Sequence, residues 1–204
     1  MLSRILTAVL FVAIMGLLIA QRFSLPPELP VRIAAGSGED AGYGFGEDLR
    51  RGSVIETGEG FLKVTIGVES AKLDEAKTIL WLAPNTRIEL ERFYEDELTI
   101  RFTRGRIVAS NQADVPLKIK TNYTSHLVLG DVASFVNYDF LETIHVIPLT
   151  GSVQVSIGSS ENLLTPVPLS IHETEPVTFE KLEVNLAAGD VAGFYEWAGV
   201  LTQK

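Results

Sequence analysis

No cysteine occurs among the 204 residues, and methionine appears only 2 times. That removes disulfide bridges, thiolate nucleophiles and cysteine-ligated zinc or iron–sulfur sites, so the fold rests on burial and hydrogen bonding. Basic residues are also scarce: 17 Lys+Arg stand against 26 Asp+Glu, a net charge of −9 and a pI near 4.9. Sequence-independent nucleic-acid binding needs cations that neutralise phosphates, and this balance argues against it. There is no Gly-x-Ser-x-Gly elbow for a serine nucleophile. The glycines of 36–46 include no Gly-Lys-Ser/Thr, which excludes a phosphate loop of that kind.

What is present begins with an excess of hydrophobicity. A mean hydropathy of +0.22 is high for so acidic a chain, and its source is the N-terminus. Ile5 to Ala20 reads ILTAVLFVAIMGLLIA, sixteen residues without a charge, bounded by Arg4 and Arg22. As a helix it spans roughly 24 Å, short of the roughly 30 Å hydrocarbon core, and Leu2 and Phe23 extend it while the arginines snorkel. The expectation is a transmembrane anchor over 5–23, with Ile5, Leu10, Phe11, Leu17 and Leu18 among its lipid-facing residues and 1–4 as a cytoplasmic tip. A cleaved signal peptide is the alternative, although the best small-x-small site, Leu18-Ile19-Ala20, has a bulky first position. The positive-inside rule keeps the N-terminus in the cytoplasm. Beyond Arg22 the chain carries 15 basic and 26 acidic groups, a net −11. The remaining length suits one domain with appendages.

Residues 24–46 open with Pro26, Pro27 and Pro30 and end with five glycines, which reads as a Pro/Gly-rich stem or else an ordered edge segment. From 47 to 189 short runs of alternating polarity are divided by turn residues, the pattern of a sheet. Ile88 and Leu90 alternate with Arg87, Glu89 and Glu91. Leu98, Ile100 and Phe102 alternate with Thr99, Arg101 and Thr103. Leu117 and Ile119 alternate with Lys118 and Lys120, and Val153, Val155 and Ile157 with Ser152, Gln154 and Ser156. Pro84-Asn85, Gly105, Asn111 to Asp114, Gly130-Asp131, Gly151 and Gly158 to Ser160 are the expected turns. About a dozen strands without long helical interludes predict an all-β sandwich, jelly roll or β-helix-like stack. Two segments read as helical: Val68 to Lys77, and a short closing helix within 190–204 with Asp190 as N-cap.

The order of these runs resembles the FecR-like domain family over residues 52–157. Gly52-Ser53-Val54-Ile55-Glu56-Thr57-Gly58 is similar to its opening Gly-x-x-Ile-x-Thr-Gly step. Leu82 to Leu90 resembles its Leu-x-x-x-Thr-x-Leu-x-Leu pair, and Leu98 to Ile107 its Leu-x-Leu-x-x-Gly-x-Val hairpin. Leu117-Lys118-Ile119-Lys120-Thr121 is similar to its Phe-x-Val-x-Thr strand, and His145 to Val155 to its closing Val-x-Val-x-x-Gly-x-Val-x-Val. The family's Gly-Thr-x-Phe turn corresponds loosely to Gly130 to Phe135, with Asp131 in place of Thr. The resemblance implies a FecR-like stacked sheet or jelly-roll-like sandwich, and residence in the bacterial envelope. Sigma-regulating members carry a cytoplasmic anti-sigma segment ahead of the membrane helix. With Met1 to Arg4 alone in that position, the iron-signalling role is not expected here.

Candidate chemistry is sparse. His126, His145 and His172 fall on separate expected strands without ligand spacing. Glu91, Glu95, Asp96 and Glu97 surround an expected hairpin turn but lack the Asp-x-Asp-x-Asp-Gly order of a calcium loop. Phe194, Tyr195 and Trp197 crowd the C-terminal segment, as a helix plugging the open end of the β core or as a partner-docking face. The sequence therefore points to a non-enzymatic, single-pass protein of the bacterial cytoplasmic membrane with no cofactor or metal. Its extracytoplasmic β domain is expected to act as a sensor or scaffold through contact with an envelope protein. The alternative is a lipid or lipopolysaccharide carrier of the jelly-roll bridge type, and an envelope hydrolase ranks last.

Overall fold

The computed structural model describes residues 2–23, 27–37, 43–67, 75–128, 132–158, 161–189 and 191–201. Helix α1 is Leu2–Phe23. Among the described residues fifteen strands follow: β1 (Val31–Ser37), β2 (Asp48–Leu49), β3 (Val54–Glu56), β4 (Phe61–Ile66), β5 (Thr78–Leu82), β6 (Arg87–Tyr94), β7 (Glu97–Asn111) and β8 (Leu117–Lys120). The chain continues through β9 (Thr124–Val128), β10 (Val132–Tyr138), β11 (Thr143–Pro148), β12 (Val153–Ile157), β13 (Glu161–Thr165), β14 (Leu169–His172) and β15 (Thr178–Lys181), then closes with α2 (Ala192–Trp197).

The strands form two sheets joined through one strand. A first sheet runs β3-β6-β7-β8-β9-β12-β13, and a second runs β2-β1-β4-β5-β7-β10-β11-β14-β15. The N-terminal half of β7 lies between β6 and β8 in the first sheet, while residues 105–111 lie between β5 and β10 in the second. Gly105 makes the bend. It sits at φ +97°, and a Cβ there would lie 2.5 Å from both Cα and Oγ1 of Thr86. Only glycine fits a position that combines a positive φ with so close a backbone. Gly105 is therefore not the expected turn: it folds one long strand into both layers, as corner strands do in sandwiches.

The alternating runs now have a physical cause. Ile88, Leu90, Leu98, Ile100, Phe102, Leu117, Ile119, Val153 and Val155 meet Leu62, Val64, Leu80, Leu82, Ile107, Phe135, Ile144 and Val146 of the other sheet in one continuous core. Ile157, at the end of its strand, is only half-buried. Thr99, expected on the wet face, is buried between its register neighbours Arg92 and Lys118. Asn111, read as turn, closes β7 as a buried clamp. Its Nδ2 donates to the carbonyls of Val115 (2.9 Å) and Val128 (3.2 Å), and its Oδ1 accepts from Thr78 Oγ1 at 2.7 Å.

Several boundaries differ from the sequence reading. The stem over 24–46 is displaced by β1, which pairs with both β2 and β4 and buries Val31 and Ile33 in the core. Prolines and glycines on either side masked that strand. Residues 68–74 of the expected helix Val68 to Lys77, and Gly130-Asp131, lie outside the described residues, as does the expected N-cap Asp190. The position preceding α2 is Val191, without a side-chain cap. Residues 5–20 are helical as expected. No helix among the described residues is long and apolar enough to cross a membrane, so the expected span is not seen; its uncharged run falls several ångströms short.

Candidate functional site

The expected anchor residues Leu10, Phe11, Leu17 and Leu18 project from α1 with 62%, 64%, 63% and 54% of their surface exposed. Ile5 lies in the same helix, and its side chain is outside the described residues.

The three histidines do not converge. His126 in β9 points into the core against Phe135, while His145 in β11 and His172 in β14 point out of the second sheet. Among the described residues no group of three His, Asp or Glu side chains is placed to hold a metal ion. His126 belongs instead to a buried polar pin between the sheets. The Glu173 carboxylate, 2% exposed, accepts from the hydroxyls of Thr121 and Thr124 (2.5 Å for Thr124) and from the Thr124 amide at 3.0 Å. Glu173 follows β14, so it fastens the second sheet to the β8–β9 turn of the first. Since the Thr124 hydroxyl donates to the carboxylate, its oxygen accepts from His126 Nε2–H at 2.9 Å. That fixes Nδ1 as the bare nitrogen, and no described group donates to it. Burial pushes the His126 pKa down to about 3 because an imidazolium here would carry an unpaired N–H in the core.

The acidic cluster is dispersed into ion pairs. Glu91 meets Arg101 at 2.8 Å and Lys120 at 2.7 Å, and Glu97 meets Arg92 at 2.7 Å. Partial burial acts to raise the Glu91 pKa, but the Lys120 and Arg101 cations together outweigh it and hold the carboxyl below its ordinary value. Glu95 and Asp96 form the exposed β6–β7 turn. With Glu56 joined to Arg87 and Arg104, the outer face of the first sheet is a ladder of paired charges.

The aromatic cluster lies elsewhere than expected. α2 does not plug the end of the core; it covers the outer face of the second sheet. Phe194 (2% exposed) and Tyr195 (0%) form a second apolar cluster with Ala83, Val108 and Ala198, bordered by Phe61, Trp81 and Trp197. Burial takes Phe194 and Tyr195 out of any docking face, and Trp197 is half-buried on Phe61 with ring centroids 5.3 Å apart. Tyr195 OH hydrogen-bonds Ser134 Oγ at 2.9 Å and accepts from Arg106 Nη1 at 3.0 Å. Beside this cover lies a groove of about 400 Å³ lined by Phe61, Arg106, Val136, Tyr138 and Phe194. Sequence reasoning singled out neither Arg106 nor Glu173: their partners are 89 and 52 positions away.

The first sheet ends on an open edge. β13 pairs with β12 over five residues and has no other strand partner among the described residues. Its Leu163 and Leu164 are 41% and 60% exposed.

No family model matches the chain, and no curated protein matches it. Among solved structures, two crystal structures of a "putative anti-sigma factor" from Parabacteroides distasonis ATCC 8503, at 2.50 and 1.65 Å resolution, are similar to it. Each has a TM-score of 0.41 and 18% identity, over 51% of this chain and 51% of the other. The chain thus spans about half the length of these structures.

Proposed function

We propose that the chain is a non-enzymatic protein-binding module of the bacterial envelope with a FecR-like domain, held at the cytoplasmic membrane by α1. Its β domain would lie on the extracytoplasmic side, as a sensor or scaffold. The observation that carries the binding reading is the β13 edge. Natural sheets guard long edges with charge, proline or bulges. Here two leucines sit mid-strand on an edge that pairs with no further strand among the described residues and could take another strand, a mode in which main-chain hydrogen bonds supply affinity and side-chain pockets supply specificity. The exposed apolar side chains of α1 support membrane attachment, since a stripe of this kind is costly in water. A lipid carrier would need an apolar groove open along the sheets, and the described residues fill that space with fully buried side chains.

Two measurements test the two halves. A photo-crosslinker in place of Leu164 should give one discrete adduct with an envelope protein in intact cells, lost when Leu163 and Leu164 are both replaced by lysine. A crosslinker in place of Glu180, on the far edge of the second sheet, should not give it. Failure to obtain the adduct refutes the edge reading. Alkaline carbonate should leave the full chain in the membrane pellet and release a form lacking residues 1–26; full extraction of both refutes the anchor.

A further inference from the structure

Beyond the bend at Gly105, β7 turns Arg106 outward on the second sheet. The register sets Arg106 beside Val136 of β10, and Val136 beside His145 of β11. All three face the side that the C-terminal segment partly covers. Arg106 is half-buried, its guanidinium carbon 5.5 Å from the centre of the Tyr195 ring. One of its N–H groups goes to the neutral Tyr195 hydroxyl.

The contrast with the other arginines is what gives this residue meaning. Arg32, Arg51, Arg87, Arg92, Arg101 and Arg104 each have a carboxylate within ion-pair distance. Among the described residues Arg106 and Arg50 have none, and of these two Arg50 is exposed whereas Arg106 is half-buried. A partly desolvated guanidinium without a counter-ion is disfavoured unless something supplies the anion. Its field is felt nearby: the His145 pKa is lowered by burial first, then by the charges of Arg106 and His172. His172 Nε2 lies 3.6 Å from a carboxylate oxygen of Glu180, whereas Arg106 has no such neighbour among the described residues.

The groove supplies the rest of a ligand's environment. Its volume of about 400 Å³ is that of a small organic molecule, and Phe61, Val136 and Phe194 give it apolar walls. The guanidinium has five donors in a planar fork, and the tyrosine occupies only one group, which leaves donors for a carboxylate. Glu59, exposed on the lining, disfavours ligands with a second negative charge.

We propose that the groove between α2 and the second sheet binds a small organic monocarboxylate, with its carboxylate on Arg106 and its apolar body against Phe61, Val136 and Phe194. This site is independent of the β13 edge. The competing reading makes Arg106 a prop for Tyr195 and nothing more.

The probe is 4-fluorophenylacetate, followed by its fluorine resonance on the full chain in a zwitterionic detergent, with 2-(4-fluorophenyl)ethanol as the uncharged counterpart. The acid should bind at least tenfold more tightly than the alcohol. Arg106→Gln should weaken it tenfold or more, and Arg106→Lys, which keeps the charge and loses the fork, several-fold. Arg87→Gln, on the other sheet, should change nothing. Inorganic phosphate should compete more weakly than unlabelled phenylacetate. Equal binding of acid and alcohol, unchanged binding in both Arg106 variants, equal competition by phosphate, or no binding of the acid would each overturn the proposal. Should Arg106→Gln fail to fold, Arg106→Lys decides.

Discussion

The two outer faces of this sandwich meet solvent in opposite ways, and the same strand serves both. On the first sheet, Arg104 of β7 is matched to Glu56, and Glu91 holds Arg101 and Lys120. Two residues after Arg104, past the bend, Arg106 lies against Tyr195 under a cover of the chain's own C-terminus. A face laced with paired charges is already at rest in water and gives a partner little to gain by covering it. A face that is half covered, aromatic and short of one anion is where binding free energy is still to be gained. The difference between the faces is thus one of ion pairing, set by where β7 bends.

The largest effect is expected at the bend itself. Gly105→Ala forces a Cβ to within 2.5 Å of the Thr86 backbone at φ +97°, where neither strand can yield without opening both sheets. A loss of about 3 kcal/mol or more is expected, from positive-φ strain plus the clash. Urea denaturation of the full chain measures it, and a loss below about 1 kcal/mol would show that the corner is soft.

The next effect separates the faces. Phe194→Ala removes the centre of the apolar cluster under α2, a change that costs about 3 kcal/mol in a sealed core. Because that cluster is distinct from the intersheet core, the loss should stay local. Hydrogen exchange should speed up in α2 by tenfold or more while β6 and β8 keep their protection. Uniform loss of protection would mean that the cover and the sandwich unfold as one unit.

Which of these features the sequence disclosed follows from the range of the interactions. The alternating runs at Ile88 and Leu90, Ile100 and Phe102, and Leu117 and Ile119 were legible because one strand's pattern depends only on which face is dry. Strand β1 entered only as the ordered-edge alternative to a stem, because the prolines before it and the glycines at and after its end argue locally for a linker, and pairing with β4 overrides them. Gly105 was legible as a positive-φ position but not as a bend, since a turn and a corner demand the same dihedral. Arg106 could not be told from Arg101 or Arg104, because its distinction is the carboxylate it lacks across the fold. The aromatic crowding at 194–197 was visible, yet the burial of the consecutive residues Phe194 and Tyr195 was not, because it depends on the second sheet that the short helix covers.

Acid tests the interior that both faces enclose. His126 is neutral in the fold with a pKa near 3, against an ordinary value of 6.5 in the unfolded chain. The unfolded state therefore binds the extra proton between these values, and stability falls as the pH drops through that window. The expected slope is up to about 1.4 kcal/mol per pH unit, with no contribution from this residue above about pH 7. His126→Phe should flatten the decline between pH 6 and 4 in urea titrations. An unchanged slope in that variant would assign the acid sensitivity to other groups.

The smallest expected effect lies on the charged face. The Glu91 pKa is depressed, so its stabilisation is present above the unfolded value near 4.5 and is lost as the pH falls through the folded one. Glu91→Gln leaves Arg101 and Lys120 without their shared anion, but both remain partly in water, and the loss should be about 1 kcal/mol or less at pH 7. High salt should shrink the difference between wild type and variant, because exposed charges are screened. If Glu91→Gln instead cost as much as Phe194→Ala, and salt left it unchanged, the ladder would be a buried structural network. The contrast between a face at rest and a face awaiting a ligand would then have to be redrawn around Glu91.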